Sequence, residues 1–296
     1  MEVIDSPAPL GSEIRGVDLS RELDAQTFDR VFSTLSERSV IVFRDQRITP
    51  AQFVRFSSRL GPLAKPPLLD DYALPDQPEV LKVSNIIENG KHIGNPDAGA
   101  FWHSDGAYSA KPSMYSILYA IEVPQRDGQT FGDTLYTSTA AAYDALGSDM
   151  KARIDGLRAI HSLNHQYERK KSAGILKRSD MSDDDKRKVV PPVAHPLVRQ
   201  HPHTGRRCIF VNEGHTCGIE GMPTEQAREL LEQLFAHCLL PEFIYTHKWR
   251  VGDVVVWDNC ATQHKATFDY ALPLRRLMYR TTIKGEAPFG VEAKAA

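Results

Sequence analysis

Phe101-Trp102-His103-Ser104-Asp105 sets an imidazole and a carboxylate two residues apart, and in an extended segment such side chains project from one face. Such a pair is one edge of a metal site. The candidate third ligand is His264, which closes Trp257-Asp258-Asn259-Cys260-Ala261-Thr262-Gln263-His264 just after the β-branched run Val254-Val255-Val256. Two imidazoles and one carboxylate on one face of an octahedron leave three positions open, the arrangement of a non-haem Fe(II) oxygenase. An H-x-D triplet alone is weak in a chain with 11 His, and reads equally as a surface pair. Arg275, Arg276 and Arg280 follow His264 within one more strand's length. Guanidinium pairs bidentately with carboxylate, so they predict an anionic co-substrate. On a strand Arg276 and Arg280 share a face and Arg275 turns to solvent.

The elements around these residues are many short strands with peripheral helices. Asp24–Glu37 carries Phe28, Val31, Phe32 and Leu35 at helical spacing, and Thr49-Pro50 opens a second helix that Gly61 ends. Thr139–Leu146 and Thr224–Leu239 read as further helices, the latter capped by Thr224. Strands are expected at 39–44, 79–85, through His103 and Asp105, and at 115–123, 132–136, 243–248, 253–257 and 277–283. The segments 62–78 and 88–100 read as loops, and His201-Pro202-His203-Thr204-Gly205 as a turn between strands rather than a metal site. Residues 162–192 are charge-dense and poor in apolar residues; they read as a solvated loop with a short helix, or as a lid over substrate. This pattern predicts a mainly β chain with α decoration (α+β), a double-stranded β-helix or jelly roll in one domain over 1–296.

Bulk properties narrow the function. A net charge of −2 gives no reason to expect nucleic acid or an anionic membrane as partner. Cys208, Cys217, Cys238 and Cys260 form no C-x-x-C pair and read as reduced thiols. No signal-peptide pattern and no long apolar run is present, so a soluble, cytoplasmic protein is expected. Homo-oligomers being the common case, one is expected here.

Taken in order, the motifs resemble the TauD/TfdA family of Fe(II)- and 2-oxoglutarate-dependent dioxygenases. Val40–Gln46 with Ile48-Thr49-Pro50, WHSD at 102–105, GDTLY at 132–136, HPLVRQHPHTGRR at 195–207, WDNCATQH at 257–264 and RRLMYRTTIKGE at 275–286 carry the likeness over most of the chain. The resemblance implies that His103, Asp105 and His264 are the iron ligands. It implies that Thr134 hydrogen-bonds the 2-oxoglutarate carboxylate near the metal, with Thr130 as a rival, and that Arg276 pairs with the distal carboxylate. Arg280 falls where the taurine enzyme faces its substrate's anionic group, and Lys65 is a weaker candidate for the same work. The implied reaction consumes O2, decarboxylates 2-oxoglutarate to succinate and CO2, and hydroxylates a C–H of a small anionic substrate.

The chain departs from the taurine enzyme in having Gly99 where that enzyme has asparagine, and no histidine in Gly61–Pro66. Taurine is therefore not the expected substrate; a sulfonate, sulfate ester or carboxylic acid remains open. Two other classes compete: a zinc hydrolase using the same three ligands, and a jelly-roll binding module without catalysis.

Overall fold

The computed structural model describes residues 1–65, 70–175 and 190–290. An eight-stranded sheet runs in the order Glu2–Asp5, Ser12–Arg15, Val40–Phe43, Val254–Asp258, Tyr115–Glu122, Leu277–Thr282, Gln77–Ser84, Ala73–Leu74. Its pairs are antiparallel except the parallel one between Ser12–Arg15 and Val40–Phe43.

The central strands Val40–Phe43, Val254–Asp258 and Tyr115–Glu122 are mostly apolar because both of their faces are buried. Ile41, Phe43, Ile117, Tyr119, Val254 and Val256 pack on one side with Val31, Leu35, Phe53 and Phe56 of the two N-terminal helices. The alternate residues Val40, Val42, Leu118, Ala120, Val255 and Trp257 face the other way. There they meet Tyr136 and Tyr245 of a three-stranded sheet, Ile244–His247, Thr134–Ser138 and Thr262–Ala266. The two sheets thus share a core, with the Tyr136 and Trp257 rings 5.7 Å apart.

The helices form as their patterns dictate. Asp24 accepts from Thr27 N to cap Ala25–Arg38, and Thr49 with Gln52 makes a capping box before Pro50–Ser58. Thr224–Cys238 buries Leu230, Leu231 and Leu234 against Ile219 and Val198. Its N-cap is Pro223, so Thr224 is the first helical residue and caps nothing.

Other expectations need correction. His103 and Asp105 lie in no strand: His103 makes a single bridge to His264, and Asp105 begins a turn. A three-stranded sheet of Val193–Pro196, Arg158–His161 and Thr216–Ile219 escaped prediction because its strands are short and broken by His and Gly. Within 162–192 the chain folds as helix Leu163–Ser172, and residues 176–189 lie outside the described residues. The 201–205 segment is the turn of hairpin Val198–Gln200 and Arg207–Ile209. No helix among the described residues is long and apolar enough to cross a membrane.

Candidate active site

His103 and His264 meet as backbone neighbours. The amide of His103 donates to the carbonyl of His264 at 3.1 Å, and the amide of His264 returns the bond at 2.9 Å. Ser104 fixes the segment further by donating to the carbonyl of Thr262 at 2.7 Å. The Asp105 amide donates to Asn259 Oδ1 at 3.1 Å. On the other side, strand Thr262–Ala266 pairs with Thr134–Ser138 so that Tyr136 lies opposite His264. Trp257, a core residue, also packs on His264 with ring centroids 4.8 Å apart.

The result is a buried cluster of His103, Asp105 and His264 whose ligand atoms all lie within 4.8 Å of one another. His103 Nε2 is 3.4 Å from Asp105 Oδ1, and His264 Nε2 is 3.9 Å from Asp105 Oδ2. Donors on neighbouring corners of an octahedron with ~2 Å bonds stand about 3 Å apart, so the set fits a small divalent ion. The nitrogens are also in the right form. His103 Nδ1 lies 2.8 Å from the carbonyl of Phe101; donating there leaves the Nε2 lone pair facing the cluster. Burial first, and His103 second, push His264 well below the usual histidine range, so it presents a neutral imidazole.

Asp105 is ionised against its surroundings. Burial works to raise its pKa, but Arg280 foremost, then His264 and His103, hold it well below the usual carboxylate range. Arg280 Nη2 lies 2.9 Å from Asp105 Oδ2, and Ser116 Oγ donates to the same oxygen at 2.6 Å. Asn259 Nδ2 donates in turn to Ser116 at 3.0 Å, and Trp257 Nε1 donates to Asn259 Oδ1 at 3.1 Å. Ser116 and Asn259 were not singled out in the sequence. A serine inside an apolar strand carries no local signal, and Asn259 entered the sequence reading only within the WDNCATQH motif.

Arg276 is buried, its Nε has no hydrogen-bond partner, and it forms no ion pair among the described residues. A guanidinium so placed lacks the anion that burial calls for. Its walls are Trp249, whose ring centroid is 6.0 Å from the guanidinium carbon, and Gly132. Gly132 has φ +77°, and a Cβ there would fall 3.3 Å from Arg276 Nε and 2.9 Å from Tyr270. Only glycine allows that approach. Thr134 Oγ1 accepts from Trp249 Nε1 at 3.0 Å. Thr134 precedes Tyr136, the neighbour of His264, by two strand positions, and its hydroxyl and the Arg276 guanidinium both lie against Trp249. Thr130 lies in a separate short hairpin. Arg275 pairs outward with Glu122 at 2.9 Å.

A cavity of about 600 Å³ opens on the His103, Asp105 and Arg280 side. Its lining has five basic residues, Lys65, Lys111, Lys170, Arg280 and Lys284, against the acidic Asp97 and Asp105. Lys65 lies on its exposed rim, 3.5 Å from Glu79. Helix Leu163–Ser172 contributes Leu163, Gln166 and Tyr167. A second cluster, His201, Asp258 and Cys260, has metal-like residue types. There His201 Nδ1 accepts from the amides of His203 and Thr204, so Nε2 carries the proton it donates to Asp258 at 2.6 Å. It offers no lone pair and serves to shape the turn before His264.

Residues 2–282 match the family described as taurine catabolism dioxygenase TauD, TfdA family. The chain is 33% identical to pentalenolactone F synthase of Streptomyces arenae, over 98% of this chain and 97% of that protein. It is also 33% identical to the alpha-ketoglutarate-dependent 2,4-dichlorophenoxyacetate dioxygenase of Cupriavidus pinatubonensis, over 97% of this chain and 99% of the other. A crystal structure of a taurine dioxygenase from Burkholderia xenovorans superposes with a TM-score of 0.80 at 32% identity, covering 99% of this chain and 92% of that one.

Proposed function

The chain belongs to the TauD/TfdA family and is a 2-oxoglutarate-dependent, non-haem iron dioxygenase that uses Fe(II), 2-oxoglutarate and O2; from that premise we propose how its own residues divide the work. His103, Asp105 and His264 hold the iron. The carrying observation is their buried convergence, in a chain whose buried Arg276 has no ion-pair partner among the described residues. Bound iron supplies the redox chemistry that couples decarboxylation of 2-oxoglutarate to succinate and CO2 with hydroxylation of a substrate C–H.

Arg276 pairs with the distal carboxylate of 2-oxoglutarate. Thr134, expected from the sequence at the metal-proximal carboxylate, is assigned to the distal one, a reading supported by the Trp249 ring that its hydroxyl shares with Arg276. Arg280, already against Asp105, faces the anionic group nearest the iron, from the co-substrate or the substrate. The positive excess of the cavity lining supports a small organic anion as substrate, with Lys65 at the entrance. Taurine fits poorly: Gly99 has φ +81° and a Cβ there would lie 3.2 Å from Ala266, so no side chain replaces the asparagine of the taurine enzyme.

The two sheets that share the Tyr136–Trp257 core are the layers of a jelly roll, a reading supported by the superposed dioxygenase. Free thiols at all four cysteines support a cytoplasmic location. The zinc-hydrolase and binding-module readings find no support among the relatives, and neither calls for the isolated Arg276. The deciding experiment measures succinate formed from 2-oxoglutarate with Fe(II) and ascorbate, and with zinc in place of iron. Turnover with iron alone is expected; turnover with zinc, or none, would refute the assignment.

A further inference from the structure

Where the loop leading to His103 meets helix Leu163–Ser172, the cavity wall holds a charged pair that iron and 2-oxoglutarate do not use. Lys170 Nζ donates to Asp97 Oδ1 at 2.9 Å and to the Asp97 carbonyl at 3.0 Å. Asp97 is 4% exposed and Lys170 7%, and both line the cavity that holds His103, Asp105 and Arg280. Two of the three ammonium hydrogens are accounted for by these bonds. Asp97 Oδ2 has no hydrogen-bond partner among the described residues. His215 lines the same cavity, fully buried, with its ring 5.9 Å from that of His103 and 5.2 Å from that of Tyr108. Its Nδ1 also has no hydrogen-bond partner among the described residues.

Buried polar atoms are nearly always satisfied, so idle ones gathered on one cavity ask for a ligand. We infer that Asp97 and Lys170, with His215 beside them, form a second substrate subsite that takes a neutral hydrogen-bonding group, a hydroxyl, on the same anion that Arg280 faces. The inference rests on the dioxygenase reading of the site. Electrostatics selects the group. An ammonium would confront Lys170, and a second carboxylate would confront Asp97, each desolvated beside a like charge. A hydroxyl can donate to Asp97 Oδ2 and accept the third hydrogen of Lys170.

The test compares matched anions as stimulants of succinate release by the iron-loaded full chain. The probes are phenoxyacetate, its 3- and 4-hydroxy derivatives, 4-methylphenoxyacetate as a control for size, and hexanoate against 6-hydroxyhexanoate. A hydroxylated member of either series is expected to exceed its parent by about tenfold or more in kcat/KM. In the double variant Asp97→Ala/Lys170→Met, which leaves no lone buried charge, the ratio should fall to within about twofold. Being a ratio on one preparation, it is unaffected by partial loss of folded protein. Equal response to hydroxylated and parent probes, no stimulation by any probe, or a preference that survives in the double variant would overturn the subsite. Succinate release with no probe added reports separately on the dioxygenase reading, which fails if wild type releases none.

Discussion

Arg280 Nη2 lies 2.9 Å from Asp105 Oδ2, so the carboxylate proposed as an iron ligand is already paired with a guanidinium. Metal and arginine are both cations on one anion, and only an incoming anion relieves their repulsion. Arg280→Met is therefore expected to leave cobalt(II) affinity, measured without 2-oxoglutarate, unweakened. The same change should make the chain about tenfold or more hungrier for its co-substrate or its primary substrate, read as a rise in the Michaelis constant. Weaker cobalt binding with both Michaelis constants unchanged would show that Arg280 only supports Asp105.

His103→Ala or Asp105→Ala should abolish iron-dependent succinate release while the far-ultraviolet circular dichroism of the chain is retained. The backbone bridge between residues 103 and 264 does not depend on either side chain. Normal turnover in either variant would remove both from the metal site.

Replacing Arg276 by Met takes away a buried charge that has no ion-pair partner among the described residues, so the fold should lose no stability in a urea titration. The requirement for 2-oxoglutarate should climb by about a hundredfold, the scale of a lost charge-assisted bidentate pair. An unchanged dependence on 2-oxoglutarate would contradict the role.

Ser116 touches the metal cluster only through Asp105, at 2.6 Å from Oδ2. Ser116→Ala should weaken metal binding by about tenfold, read by cobalt(II) titration, and Ser116→Thr should recover part of it. Equal affinity in Ser116→Ala and wild type would make the Trp257–Asn259–Ser116 chain a packing feature.

His161 predicts the acid response. Burial first, then His195 and Arg199, depress it to about 3 in the folded chain, against 6.5 for the free group. The unfolded chain alone binds the proton between those values, so the contribution is complete above pH 6.5 and shrinks as pH falls toward 3. At pH 4.5 roughly 3 kcal/mol of it should be gone. Urea unfolding of the metal-free chain at pH 7 and 4.5 should show a fall that is smaller by that amount in His161→Gln; equal falls would sink the account.

Three residues that sequence singled out by chemistry and spacing, His103, Asp105 and His264, are brought together by the fold, and a fourth, Arg276, is buried. Sequence also reached helices with a repeating apolar stripe, such as Ala25–Arg38. It erred where one residue of register decides the outcome. Pro223 takes the cap position expected of Thr224, and His103 makes one bridge where a strand was expected. It was silent where a polar residue acts through tertiary contacts alone. Ser116 looks like any strand serine until Asp105 is brought beside it from eleven residues away. Lys170 lay in a charge-dense stretch that reads as solvated, yet it is buried and paired with Asp97 on the cavity wall.

The mutual amide–carbonyl bonds between His103 and His264 have a consequence for how the centre is filled. Main-chain bonds hold the two imidazoles of the proposed centre near one another, so loading a metal there need not reorganise this stretch of backbone. Stripping and reloading the centre should be an exchange reaction, fast and reversible, with no refolding step between the two forms.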